Sequence, residues 1–271
     1  MRRRIFTIAR VGITLSALSA ATLLADNDKG DNQGDNSSAC KDVPSFSDLK
    51  AALKSVAPAA NKSVNGGLNF NMWGTVVNRD GIVCAVVFTG ADRGSQWPGS
   101  RVISAQKANT ANAFSLPGFA LSTANLYTAV QPGGTLFGLQ ESNPVDTGVA
   151  YGGNSANYGQ ANDPMVGNKI GGINVFGGGL ALYNKTGALV GGLGVSGDTS
   201  CTDHIVAWKT RFALNFDNVP AGEGASNTDN MINDLSLPPA MQSGFGHPTC
   251  DATATSVTAG LPTNFPVGPK P

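Results

Sequence analysis

The sequence predicts an α+β fold in which an antiparallel sheet is flanked by helices. Three observations predict it. Two pairs of β-rich runs are each joined by an Asn-x-x-Gly turn, Asn78-Arg79-Asp80-Gly81 and Asn184-Lys185-Thr186-Gly187, so neighbouring strands return antiparallel. The helical patterns stand apart from these hairpins instead of alternating with single strands, which disfavours a doubly wound parallel sheet. Charged residues make up only 13% of the 271 while Gly numbers 35, a composition for a compact chain with many tight turns.

Taken in order, residues 45–56 read as a first helix, with Ser45 or Ser47 as N-cap and Phe46, Leu49, Leu53 and Val56 as its apolar stripe. Residues 72–77 and 82–88 are the strands of the first hairpin. Residues 102–114 read as a helix whose Ala105, Ala108, Ala111 and Ala113 present small surfaces suited to close packing on a sheet. Residues 121–130 are a second, short helical candidate, ended by Gln131-Pro132-Gly133-Gly134. The polar, Gly-rich stretch 141–172 reads as a long loop without regular structure, a kind that is usually functional or disordered. The second hairpin uses 180–183 and 188–195, and a last helix runs over about 202–214 with Ile205, Trp208 and Phe212 on one face. From 216 to 271 the sequence reads as an irregular extension. Met72, Trp73 and Trp97 read as core or rim packing.

The first 25 residues have the pattern of an export leader: Arg2, Arg3 and Arg4, then a short apolar stretch from Val11 to Ala25. Arg3-Arg4-Ile5-Phe6 also fits the core of a twin-arginine signal. The stretch is short for a bilayer span, so no membrane segment is expected once the leader is removed. Residues 26–39 read as a disordered, solvated linker, followed by one domain over 40–215. Of the 18 basic residues four lie in the leader, which leaves the rest with an acidic excess of four and no Lys/Arg run. A nucleic-acid partner is excluded on that ground.

Four cysteines, Cys40, Cys84, Cys201 and Cys250, contain no CxxC spacing, so in an exported chain they read as disulfides and not as a zinc site; no metal site is expected. Three pairings are open. Cys40–Cys84 with Cys201–Cys250 is preferred, because the second bond would tether the irregular C-terminal extension to the domain.

Gly192-Leu193-Gly194-Val195-Ser196-Gly197 matches the dinucleotide-binding GxGxxG pattern, but too little patterned chain follows it to build a mononucleotide-binding half. Asp198 stands where a nucleophile elbow at Ser196 needs Gly, which argues against a serine hydrolase; no catalytic residue is assigned. The turn from Gly194 into the last helix still presents backbone N–H groups and a helix N-terminus to a carboxylate or phosphate. Gly194, Ser196, Gly197 and Asp198 are therefore ligand-binding candidates, with Arg101 and Lys107 as counter-charges and His204 as a candidate ligand to haem iron. The alternative for this turn is structural, with Asp198 or Asp203 capping the helix.

Several motifs resemble the GlcG/HbpS-like family, the haem-degrading-domain or DUF336 proteins. The run Ser104-Ala105-Gln106-Lys107-Ala108-Asn109-Thr110-Ala111-Asn112-Ala113-Phe114 is similar to that family's A-x-x-KA-x-TA-x-x-F helix. Gly177-Gly178-Gly179-Leu180-Ala181-Leu182 and Val190-Gly191-Gly192-Leu193-Gly194-Val195-Ser196-Gly197 look like its two glycine-rich signatures, and Asp203 stands where the family has an acidic residue opening its last helix. The resemblance implies a five-stranded antiparallel sheet flanked by helices, a profilin-like α/β sandwich, and homo-oligomers. It also implies haem or a related tetrapyrrole as cofactor. The stretch 141–172 is a large insertion relative to the pattern, and no His precedes His204. The expected function is an exported (periplasmic or extracellular) carrier or sensor of a tetrapyrrole or other small carboxylated ligand. The alternatives are a small-molecule enzyme using Ser196, Asp198 and His204 in one cleft, and a disulfide-stapled structural envelope protein.

Overall fold

The structure is a computed structural model and describes residues 36–268. The predicted leader, residues 1–25, and residues 26–35 of the predicted linker lie outside the described residues. Residues 36–39 are not extended linker but a single helical turn, α1 (Asn36–Ala39), held at its end by Asn78 Nδ2 donating to the Ala39 carbonyl at 3.0 Å.

Helix α2 (Phe46–Val56) starts at Ser45, whose hydroxyl accepts from Asp48 N at 3.2 Å while the Asp48 carboxylate accepts from Ser45 N. This reciprocal cap satisfies two of the N–H groups that a helix start leaves unpaired. Strands β1 (Trp73–Asn78) and β2 (Val83–Phe88) form the first hairpin, and β3 (Gly179–Tyr183) and β4 (Leu189–Ser196) the second. The sheet has four strands in the order β2-β1-β4-β3, antiparallel throughout.

The fifth strand implied by the family resemblance is not present among the described residues. Gly171, Gly172 and Gly178 all have positive φ (63°, 76° and 111°), which breaks the extended backbone on both sides of residues 173–177. Irregular chain covers the two sheet edges instead. Beside β2, Val83 exchanges backbone hydrogen bonds of 2.9 Å with Asn168 and Gly167; beside β3, Tyr183 N donates to Phe216 O at 2.9 Å.

Residues alternate between the two faces of the sheet. Thr75 bonds Ser104 of α3 (Ser100–Phe114) at 2.7 Å, whereas a Cβ at the adjacent Gly74 would meet Leu53 and Leu49 of α2. Helix α3 thus covers one face. On the other, Val76, Val87, Leu180, Leu193 and Val195 form the main core with α2 and with Ile205, Val206 and Trp208 of α5 (Ser200–Leu214).

Three expectations need correction. Residues 121–130 form two 3₁₀ turns, Thr123–Leu126 and Thr128–Val130, started by Ser122 whose N–H and hydroxyl both donate to Asn125 Oδ1, a closure too local to propagate. The stretch 141–172 contains α4 (Thr147–Tyr151) and a 3₁₀ turn, and buries Ala150, Met165 and Ile170 completely. The C-terminal extension holds α6 (Ala252–Asn264), capped by Asp251, whose carboxylate accepts from Ala254 N at 2.9 Å. Its Ala, Thr and Gly content gives no apolar stripe for periodicity to detect. The structure contains both disulfides in the preferred pairing, Cys40–Cys84 and Cys201–Cys250. Among the described residues no helix is long and apolar enough to cross a membrane, and no group of three or more His, Cys, Asp or Glu is placed to hold a metal ion.

Candidate functional site

The predicted ligand-binding turn is occupied by its own chain. The Asp198 carboxylate accepts from the backbone of Leu68, Phe70 and Thr199 at 2.7–3.1 Å. Helix α5 is capped by Thr199, whose Oγ1 accepts from Thr202 N at 3.3 Å, and not by Asp198 or Asp203. Cys201 N donates to Cys250 Sγ at 3.2 Å. The N–H groups of Asp198, Thr199, Cys201 and Thr202 are therefore spent internally. Gly194 is a packing residue: a Cβ there would lie 1.9 Å from the Ser104 carbonyl of α3. Ser196 is buried at the end of β4, and Gly197 O accepts from Gln96 Nε2 at 2.6 Å.

The two proposed counter-charges are buried and paired. Lys107 Nζ bonds Asp203 Oδ2 at 2.7 Å and the Val195 carbonyl at 3.0 Å. Burial outweighs their mutual attraction, lowering the Lys107 ammonium and raising the Asp203 carboxyl to about 6. Arg101 donates both Nε and Nη2 to the Asp163 carboxylate and Nη1 to the Ala150 carbonyl, and its guanidinium stacks 3.6 Å from the Tyr158 ring centroid. His204 is fully buried in α5, with Nε2 between Asn230 Oδ1 and Met231 N at 3.1 Å each, and burial lowers it to about 4. Asp198 bonds Leu68, Phe70 and Thr199, His204 bonds Asn230 and Met231, and among the described residues no hydrogen bond joins either side chain to Ser196.

A cleft does open at the neighbouring end of the sheet, where β1 begins and α3 starts. Its volume is about 320 Å³. Its floor is Trp73, stacked on Phe88 at 4.5 Å between ring centroids, together with Val102 and the Arg101–Tyr158 stack. One wall is the loop 92–99, including Arg93, which is exposed. The other is the insertion, through Tyr151, Ser155 and Tyr158. Asp163 holds that wall in place. Besides Arg101, its carboxylate accepts from Gly159 N at 2.8 Å and Met165 N at 2.9 Å. A second depression, about 380 Å³, lies across the same loop under Phe70, Gln96 and Trp97. Gln96 links it to the predicted turn by donating to Gly197 O.

Over more than half its length, residues 48–210, the chain matches the family described as haem degrading protein HbpS-like. It belongs to the HbpS-like family. Among solved structures, this HbpS-like chain is similar to the Klebsiella pneumoniae protein ORFY, at 23% identity over 62% of this chain and 86% of that one, with a TM-score of 0.41. It is also similar to PduOC, solved as a haem complex, at 24% identity over 64% of this chain and 96% of that one, again with a TM-score of 0.41. No curated protein matches the chain. Superpositions this loose bear on neither the site nor its ligand.

Of the predicted ligand-binding residues, only Arg101 lines this cleft of the HbpS-like domain. Trp73 appeared as a packing residue, and Arg93, Tyr151, Tyr158 and Asp163 went unmarked. The one available signal was the length of the insertion that carries three of them.

Proposed function

We propose that the protein is an exported carrier or sensor of haem or a related tetrapyrrole, bound in the cleft at the start of α3. One observation carries the reading: a largely apolar cleft of about 320 Å³ lined by Trp73, Val102, Tyr151 and Tyr158, in a chain of the HbpS-like family. An apolar, aromatic-rich lining suits a macrocycle, and a few polar groups at the rim suit its carboxylates. Arg93 would take a carboxylate at the rim. The Tyr151 phenol would be the ligand to iron, since the Tyr158 hydroxyl donates to the Tyr151 and Gly152 carbonyls and both histidines lie elsewhere, His204 within α5 and His247 bonded to Ser200. Bound haem would supply an iron centre able to change oxidation state. The buried Arg101–Asp163 pair then holds the wall beside the ligand and does not contact its carboxylates.

In this reading residues 1–25 are a leader, 40–215 form the ligand-binding domain, and 216–271 are fastened to it through Cys201–Cys250. Two disulfides are compatible with export.

The test is a haemin titration of the disulfide-intact protein followed by visible absorption. A saturable Soret shift is expected, weakened by Arg93→Ala and altered in band position by Tyr151→Phe. A flat titration overturns the proposal. A shift that neither variant changes places any haem outside this cleft.

A further inference from the structure

On the opposite face of the sheet a third hollow, about 450 Å³, opens between the end of α2, the last turns of α5 and the end of α6. Val56, Pro58, Val64, Phe212 and Phe265 give it apolar walls, and Lys209 reaches into it from α5. Lys209 as a residue is 9% exposed. Its ammonium donates to the Val64 carbonyl at 2.9 Å and to Asn65 Oδ1 at 2.8 Å, and lies 5.3 Å from the Phe265 ring centroid. All three partners line the same cavity, and none carries a charge.

That arrangement departs from a rule the rest of the molecule obeys. Four cationic side chains are buried among the described residues: Arg101, Lys107, Lys209 and Arg211. Three have a buried aspartate each, Asp163, Asp203 and Asp229. Lys209 has none within ion-pair distance among the described residues. A buried charge needs a counter-charge as well as hydrogen bonds, and an ammonium has three N–H groups, of which two are used here. Burial accordingly lowers the Lys209 ammonium from its usual range.

We propose that this cavity binds an amphipathic monocarboxylate of medium aliphatic chain length, with its carboxylate on the third N–H of Lys209 and its chain along Phe212, Phe265 and Val64. The site is independent of the tetrapyrrole cleft, from which the sheet separates it. One charge and apolar walls select one carboxylate and a tail; a polyanion would leave charges unpaired.

The experiment is calorimetric titration of the full, disulfide-intact chain with decanoate, and with 1-decanol as the same tail without the charge, both below micellar concentration. Saturable decanoate binding is expected, with decanol about tenfold weaker or more, the worth of one charge-assisted hydrogen bond. Lys209→Met should abolish that preference. Ala213→Trp, at an exposed helical position on the cavity rim, should block both ligands without touching the ammonium, and keeps the test open if Lys209→Met does not fold. Absence of decanoate binding, equal affinity for decanol, or binding unchanged in Ala213→Trp overturns the proposal.

Discussion

At the scale of single residues, the molecule is governed by how it treats buried charge. Lys107–Asp203, Arg101–Asp163 and Arg211–Asp229 each join segments distant in sequence, so each pair works as a fastening whose failure leaves a charge stranded. The buried histidines follow the other course and stay neutral. Burial lowers both His204 and His247 to about 4. A depressed histidine contributes stability that is fully present above its unfolded value near 6.5 and lost as pH falls toward 4. Each is worth roughly 3 kcal/mol over that window. Asp203, raised to about 6, acts with the opposite sign, its contribution present below its unfolded value and lost as pH rises through 6. Two histidines outweigh one carboxyl. Urea unfolding at pH 7 and at pH 4.5 should therefore show lower stability in acid, by an amount on the order of 3 kcal/mol. Higher stability in acid would mean that Asp203 dominates.

Among elements, the contact that organises the fold is α3 on β4. A Cβ at Gly192 would lie 2.2 Å from the Ala108 carbonyl, and one at Gly194 would lie 1.9 Å from that of Ser104. The glycine run that imitates a dinucleotide fingerprint exists so that a helix backbone can rest on a strand backbone. Gly194→Ala should then push α3 off the sheet and cost about 1–3 kcal/mol or more as an overpacking change, read as a lowered thermal midpoint. A midpoint equal to that of the parent protein would remove close packing as the reason for this glycine. The helix was legible because its small residues recur at helical spacing. Its partner was not, since nothing local tells Gly194 which backbone it will meet. Both hairpins were legible for a local reason: Asn78 Oδ1 accepts from Asp80 N and Ile82 N, and Asn184 Oδ1 from Thr186 N and Ala188 N, with Gly81 and Gly187 at φ of 77° and 78°.

Across the whole molecule, the two disulfides close loops of similar length, with separations of 44 and 49 residues. Cys40–Cys84 ties the start of the domain to β2. Cys201–Cys250 ties the segment leading into α6 to the first turn of α5. Replacing Cys201 and Cys250 with Ser should cost about 2–4 kcal/mol. Hydrogen exchange should show protection lost first in α6, while β1 and β4, central in the sheet, keep theirs. Uniform loss in every element would show that α6 folds only together with the sheet.

The sequence by itself determined the α+β class, the two hairpins, the helices with a stripe or a cap, and the family. All of these rest on periodicity, turn chemistry or motifs read within a few residues. Tertiary structure decided the rest. It spent the predicted anion turn on Asp198 and Thr199, buried Arg101 and Lys107 against aspartates, and built a cleft from Trp73 and an insertion that looked structureless. The physical reason is common to these cases. Whether a charged or aromatic side chain is available depends on which distant segment covers it, and that is settled only when the sheet and helices close.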